Sequence, residues 1–431
     1  MSDEIVNKKK KPIDLVLKEI QKKFSKTNPD IIFDPTKQYE VVSSGNICFD
    51  LITGIGGFPK GRITEICAME STGKTSLILA SMGNAQREGK VSVLFDFEQC
   101  FDPWYAEHCY GLKIDHKTFF LFQPTTIEEG DSIFDALMES DLNIDLMAFD
   151  SIACMIPQAL SEGSLEENAQ VGIHARFISR FSHKLRKAAY MKNFAAVFTN
   201  QMKFQIQKDR FTLGVGVSAS TRHKDQMTTP GGMTPRFLAS IRMKMEQVGG
   251  GDKTEDVDPI SGEKEDIVTV RRIKFINIKN KCARPDLKAE SYFDLVTPTQ
   301  KGGWNSGKDL MELLRKRGRI TQTGATFKYV GLNIPEFTAR GKANGEEQFL
   351  NTPEILADGF ALLEQLRKEE SAMDLLVDKA IFGVDITAAD KEGQDHVSAD
   401  DISTDDEGEE ETVKPKKRGR PKASETGDTT L

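Results

Sequence analysis

No two of the six cysteines, Cys48, Cys67, Cys100, Cys109, Cys154 and Cys282, stand at CxxC spacing. That lack argues against a zinc site or a disulfide framework and suits reduced core thiols in a cytosolic protein. No stretch is apolar for long enough to cross a bilayer. The N-terminus is polar, with Lys8 to Lys11 and no apolar run, so no signal peptide is visible. The chain also has no excess of positive charge, since 58 bases against 66 acids leave the 431 residues at a net −8. Taken whole, that sign argues against a nucleic-acid partner; divided along the chain, it does not. Asp385 to Val413 holds twelve acids and one lysine, a net −11, while Lys414 to the end holds six bases and two acids, +4. Residues 1–384 are left at −1, so the acidity belongs to the tail and says little about the partners of the body.

What is present has room for two or three domains and a sizeable core. Residues 12–24 place Ile13, Val16, Leu17, Ile20 and Phe24 on one stripe of a helix that opens with Pro12. A helix this short needs a partner, either its own core or a neighbouring subunit. From Tyr39 to about Val296, strand and helix patterns alternate, which predicts an α/β core with a mainly parallel sheet. Residues 249–265 look like a polar hairpin tip, and after Gly302 short helices surround GRITQTGATFKYVG in a small α/β domain. Beyond about Val384, low hydrophobicity and high charge support no fold. The expected divisions are an arm at 1–36, a core at 37–300, a C-terminal domain at 301–384 and a disordered tail at 385–431.

The stretch Arg62 to Thr75, RITEICAMESTGKT, reads as strand, phosphate loop and helix. Ala68, Met69, Glu70, Ser71, Thr72 and Gly73 would turn backbone N–H groups towards phosphates at a helix N-terminus. Lys74 would reach the terminal phosphates and Thr75 would ligate Mg²⁺. The usual first glycine is missing, and Ala68 is tolerable there if its φ stays negative. Three further strands end in Glu98, Asp150 and Gln201, and ligands of open α/β sheets gather at such carboxyl ends. Asp150 would hold the Mg²⁺ shell, although a strand-end aspartate also serves as a plain turn residue. Glu98 could orient or deprotonate water. Tyr105 could stack on a purine whose amine Asp102 accepts. Between Gln201 and Gly231, the bases Lys203, Lys208 and Arg210 alternate with Phe204 and Phe211. That mixture suits single-stranded nucleic acid, with a solvated loop as the alternative.

In order, the segments VSSGNICFDLITGIGGFPKGRITEICAMESTGKTSL, FDFEQCFDPWYA, FDSIACMIP, TNQM, TPGGMTPRFLASIRM and IKNKCARP closely resemble the bacterial RecA recombinases and their phage relatives. The resemblance covers roughly residues 12–370. It implies a RecA-type P-loop core, an oligomerisation helix bearing Ile20 and Phe24, and a cytoplasmic protein of a bacterium or phage-infected host. ATP and Mg²⁺ would sit between subunits of a filament on single-stranded DNA that pairs with homologous duplex. Single-strand-binding and mediator proteins are the implied partners. By the same resemblance Glu98 activates water, with Lys74 and Gln201 as catalytic partners, and Gln201 senses the γ-phosphate. Thr75 and Asp150 serve the metal, and Asp102 and Tyr105 the adenine. Lys279 and Lys281 reach a neighbour's ATP beside Phe237 and Arg236. Segments 157–171 and 204–230 are the two DNA loops, and Arg176, Gly231 and Gly232 fall on DNA-contact positions. The second loop is longer than the family's usual one. Lys416 to Lys422, with Arg418 and Arg420, resembles an AT-hook for the A·T minor groove, or else is a plain basic end.

The charge division yields a test. Ending the chain at Val413 keeps the acidic segment and removes the basic end, so duplex capture should worsen, most on A·T-rich DNA. Ending it at Val384 removes both, and capture at low Mg²⁺ should exceed that of the full chain. Equal duplex binding by all three chains across salt and Mg²⁺ would make the tail a passive solvated end.

Overall fold

The computed structural model describes residues 13–24, 39–161, 172–204, 227–257, 260–297 and 301–382. The helices are α1 (Ile13–Phe24), α2 (Ile47–Thr53), α3 (Lys74–Arg87), α4 (Pro103–Tyr110), α5 (Ile127–Glu139), α6 (Gln158–Ser161), α7 (Ile173–Lys192), α8 (Thr234–Leu238), α9 (Ser306–Lys316), α10 (Lys342–Asn351) and α11 (Pro353–Phe382). The first eight strands are β1 (Val41–Val42), β2 (Phe58–Pro59), β3 (Ile63–Ala68), β4 (Ser92–Asp96), β5 (Phe119–Phe122), β6 (Leu146–Asp150), β7 (Ala195–Gln201) and β8 (Lys203–Phe204). The others are β9 (Met227–Thr228), β10 (Ile241–Val257), β11 (Lys264–Asn280), β12 (Lys288–Asp294), β13 (Gly303–Trp304), β14 (Ile320–Thr323), β15 (Thr326–Tyr329) and β16 (Phe337–Arg340).

Nine strands form one sheet in the order β13-β12-β11-β10-β3-β7-β6-β4-β5. From β10 to β5 every pairing is parallel, and from β10 to β13 every pairing is antiparallel. The inner parallel strands β3, β7, β6 and β4 are buried on both faces, which explains their nearly continuous apolar runs. Along β6, Leu146 and Ala148 join one core with Leu77, Ile78 and Met82 of α3, while Met147 and Phe149 join the other with Phe134 of α5 and Phe181 of α7. Local signals set the helix ends. Asp102 caps α4 ahead of Pro103, Thr126 caps α5 ahead of Glu128 and Glu129, and Gly111 closes α4 in a left-handed conformation. The mostly parallel α/β core is therefore as the sequence predicts.

The hairpin turns within the predicted stretch, but its tip is shorter than predicted. Residues 249–257 continue β10, which pairs with β11 until Val257 meets Lys264. Gly249 and Gly251, at φ 70 and 85, create an irregularity between Val248 and Asp252 instead of a turn. The distal ends of β10 and β11 are polar in sequence and so resemble a turn.

The chain divides into two compact units, 1–366 and 367–431, and the described part of the second is the end of α11. In the first unit, β14, β15 and β16 form a small antiparallel sheet. Leu310, Leu314, Phe327, Tyr329 and Phe349 belong to the same apolar core as Phe49 and Leu77. All six cysteines are free thiols. Among the described residues no helix is long and apolar enough to cross a membrane.

Where α9 meets the large sheet, Asp309 is 1% exposed. It accepts from Ser291 Oγ at 2.6 Å and from the Tyr292 N–H at 2.8 Å. Burial pushes its pKa up to about 7, against these hydrogen bonds, and Asp294 adds to the rise. An unfolded aspartate titrates near ~3.9. The folded state thus holds the proton more tightly, and the stability this gives is full below about pH 4 and lost as pH rises through about 7. Asp309→Asn keeps an acceptor for Tyr292 and removes the charge. Its unfolding temperature should exceed that of the native chain by several degrees at pH 8, with the gap closing towards pH 4. Parallel unfolding-temperature profiles would remove Asp309 as the cause.

Candidate active site

The phosphate loop hangs between β3 and α3. Ala68, the last residue of β3, lies opposite Gln201 on one side and Met245 on the other. Its carbonyl accepts from the Met202 N–H at 2.9 Å. It is absent from the positions of positive φ, so the methyl group costs nothing there. Beyond it Ser71 and Gly73 take left-handed conformations, at φ 55 and 90. Such reversals turn successive N–H groups to one side and make an anion-binding concavity. No hydrogen bond joins the N–H groups of Glu70 to Gly73 to another described residue. Thr72 Oγ1 donates to the carbonyl of Met69 at 2.8 Å, and Lys74 Nζ donates to the same carbonyl at 2.9 Å. Burial lowers the pKa of Lys74, opposed by Asp150, Glu98 and Glu70.

Asp150 is the junction of the site. Its Oδ2 accepts from Thr75 Oγ1 at 2.6 Å, and its Oδ1 accepts from Thr199 Oγ1. Burial raises its pKa, and these two hydroxyls oppose the rise. The Asp150 carbonyl accepts from the N–H groups of Phe97 at 2.7 Å and Glu98 at 3.2 Å, so the ends of β4 and β6 are tied together. A hydroxyl and a carboxylate meeting at the foot of a phosphate loop are hard oxygen donors, which fit Mg²⁺.

Glu98 Oε1 accepts from Ser151 Oγ at 2.5 Å and from Gln201 Nε2 at 3.4 Å. Three strand ends thus bring Glu98, Asp150 and Gln201 together at the loop. Tyr105 lies alongside, its hydroxyl 3.1 Å from Ser76 Oγ. Asp102 uses Oδ1 to cap α4, at 2.9 Å from the Trp104 N–H and 3.1 Å from that of Tyr105.

Four predicted residues gather elsewhere. Lys279 Nζ donates to the carbonyls of Arg236 at 2.6 Å and Phe237 at 3.0 Å, and Lys281 Nζ is 3.5 Å from the latter. Burial, then Lys281, lowers the pKa of Lys279. Arg236 holds Thr229, and Phe237 is 65% exposed. Lys279 faces Arg242, which faces Glu65, while the Lys281 N–H bonds Ser240, whose own N–H bonds Ile63. Glu65 and Ile63 lie three and five residues before Ala68, roughly 10 and 16 Å along a strand.

At the base of the long second segment, β8 pairs with β9 and brings its two ends together. Gly231 and Gly232 have φ 89 and 76, and a Cβ on them would meet Ile152, Ile178 and Ala175 within 2.9 to 3.2 Å. Arg176 stands exposed on the first turn of α7. Asn200 Nδ2 joins Glu65 Oε1 at 3.0 Å to the Pro230 carbonyl at 3.1 Å. On α1, Ile20 is partly exposed and Phe24 is 37% exposed. Lys208, Arg210, Arg418 and Arg420 lie outside the described residues, as do residues 162–171 and the side chains of Lys203 and Phe204.

Sequence reasoning passed over Ser151, Thr199 and Asn200. Each adjoins a residue that it did single out, in FDS and TNQ, and that adjacency was the available signal.

Residues 11–296 match the family model described as the RecA N-terminal domain. The chain belongs to the RecA family. Protein RecA of Thermotoga petrophila is 30% identical over 388 residues, covering 87% of this chain and 99% of its own length. Its counterpart in Aquifex aeolicus is 32% identical, covering 82% and 92%, and that of Thermus thermophilus is 32% identical, covering 81% and 92%. This chain is thus a RecA-family protein of recombination and repair and, in kind, a nucleotide-binding P-loop ATPase.

Within this RecA-family site, Ser151 holds Glu98 in place from a fully buried position. Ser151→Ala should leave nucleotide affinity unchanged and lower the ATPase turnover number about tenfold, a loss of orientation worth ~1.4 kcal/mol. Steady-state kinetics alongside nucleotide titration measures both, and an undiminished turnover would make the contact incidental.

Proposed function

We propose that this RecA-family ATPase assembles as a filament on single-stranded DNA and catalyses homologous pairing and strand exchange, with ATP held between neighbouring subunits. The observation that carries the reading is the separation of two cationic sites within one chain. Lys74 belongs to the phosphate loop, whereas Lys279 and Lys281 lie towards the other end of β3 and are bonded to carbonyls of α8. These two lysines are suited to the ATP of a neighbour, beside exposed Phe237 and Arg236.

In this reading the N–H groups of residues 69–75 and Lys74 bind the phosphates, and Asp102 and Tyr105 border the adenine. Thr75 and Asp150 would hold Mg²⁺, which when bound neutralises phosphate charge. Glu98 orients the attacking water and takes its proton, and Gln201 links it to the loop that follows β7. Asn200 ties that strand end to Pro230, at the other end of the same loop. DNA occupancy therefore bears on the geometry of Glu98. Arg176, Lys203, Phe204, Lys208, Arg210, Gly231 and Gly232 line the single strand, and Arg418 and Arg420 hold duplex. The arm at 1–36 joins subunits through Ile20 and Phe24, next to the core at 37–300. The segment 301–384 is the C-terminal domain, and 385–431 is a charged tail.

The test mixes two inactive chains. Lys281→Ala should lose DNA-stimulated ATP hydrolysis while still binding nucleotide, and Lys74→Ala should lose binding. Mixing them should restore part of the activity, because some interfaces then combine both intact halves. If no ratio exceeds the parents, the shared site is wrong. If the native chain exchanges no strands between circular single-stranded and linear duplex DNA with ATP, the recombinase reading is wrong.

A further inference from the structure

The phosphate loop is gripped from behind by two side chains of the antiparallel half of the sheet. Arg271 lies on β11 opposite Phe293 of β12, two and four residues before buried Ile273 and Phe275. Strand alternation puts all three on one face, the face that joins the core of α3. Arg271 Nη1 donates to the carbonyl of Ser71 at 3.2 Å. No acidic partner of Arg271 is found among the described residues. Trp304, from β13, stands 4.9 Å from Phe293 and 5.5 Å from Phe275, ring centre to ring centre. Its Cζ2 lies 3.4 Å from where a Cβ on Gly73 would be, with Met245 Cε at 4.0 Å.

The consequence follows from peptide geometry. In a trans peptide the C=O and the next N–H point in opposite directions. With the Ser71 carbonyl drawn outward to Arg271, the Thr72 N–H is turned inward to the concavity that would receive phosphate. Ser71 also holds φ 55, a conformation uncommon for an L-residue and favoured by contacts that hold it there. The Arg271 hydrogen bond is one such contact, and Trp304 and Met245 pack beside Gly73. The guanidinium adds a full positive charge on the same side as the loop.

We propose that Arg271, backed by Trp304, is a positioning residue of the nucleotide site. It pre-forms the phosphate loop before ATP arrives, and it acts through the Ser71–Thr72 peptide. This rests on the reading that the loop binds ATP phosphates. Pre-formation improves binding of all states alike, so its loss should appear in affinity and leave turnover untouched.

The experiment compares the native full-length chain, Arg271→Met, Arg271→Lys, Trp304→Ala and Lys74→Ala for Mg-ADP affinity, and for KM and kcat with single-stranded DNA present. Arg271→Met keeps the stem and loses the donor and the charge. It should weaken ADP binding and raise KM about tenfold, the scale of one charged hydrogen bond. Its kcat should stay within about twofold. Arg271→Lys should recover most of the affinity, and Trp304→Ala should reproduce the KM defect. Unaltered ADP affinity in Arg271→Met overturns the proposal, as does a fall in kcat with KM unchanged. A native chain that binds no Mg-ADP, or a Lys74→Ala chain that binds it as well as the native one, sinks the phosphate-loop reading instead. Native binding lost in Lys74→Ala but kept in Arg271→Met sinks this proposal alone.

Discussion

A single buried carboxylate holds the site together. Asp150 takes one hydroxyl from Thr75 at the start of α3 and another from Thr199 in β7. Through its carbonyl it also takes two N–H groups from the turn after β4. Burial, and then the charges of Glu98 and Asp96, push its pKa up, and the hydrogen bonds from Thr199 and Thr75 oppose the rise. Four separate segments thus meet at one residue, and the positions of Glu98 and Gln201 follow from that meeting. A parallel sheet makes such a junction possible, because all its carboxyl ends lie at the same edge.

A second buried acid extends the arrangement across the sheet. Glu65 is fully buried, bonded by Arg242 at 2.5 Å and by Asn200 at 3.0 Å. A buried ion pair is costly to desolvate and tolerable only when its remaining oxygens are also bonded. Here Asn200 does that, and with its other contact it anchors Pro230. Asn200 precedes Gln201 in the chain, so the strand that reaches Glu98 also fastens the far end of the second loop. In the function proposed above, this short, hydrogen-bonded path is what would couple nucleotide to DNA.

The parts of the site that were legible in sequence are those that local chemistry dictates. A phosphate loop needs glycine, lysine and threonine at fixed spacing after a strand, and RITEICAMESTGKT carries them with one alanine for glycine. Apolar runs that end in an acid or an amide marked Glu98, Asp150 and Gln201. The tip of the 249–265 hairpin was drawn too long because a polar ladder has the composition of a turn. Ser151 and Thr199 escaped because a buried hydroxyl gives no periodic signal; its partner lies tens of residues away.

By itself, the sequence determined the α/β alternation, the phosphate loop, the strand-end acids and, through its ordered motifs, membership of the RecA family. These depend on residues close together in the chain, where spacing is geometry. Only the tertiary structure decided which strands are neighbours. It put β7 beside β3, so that Gln201 lies level with Ala68, and ran β11 back so that Lys279 lies level with Glu65. It also brought Arg271 and Trp304, some two hundred residues away in sequence, against Ser71 and Gly73. Such contacts arise from burying both faces of one sheet, a condition on the whole chain that no local window of residues contains.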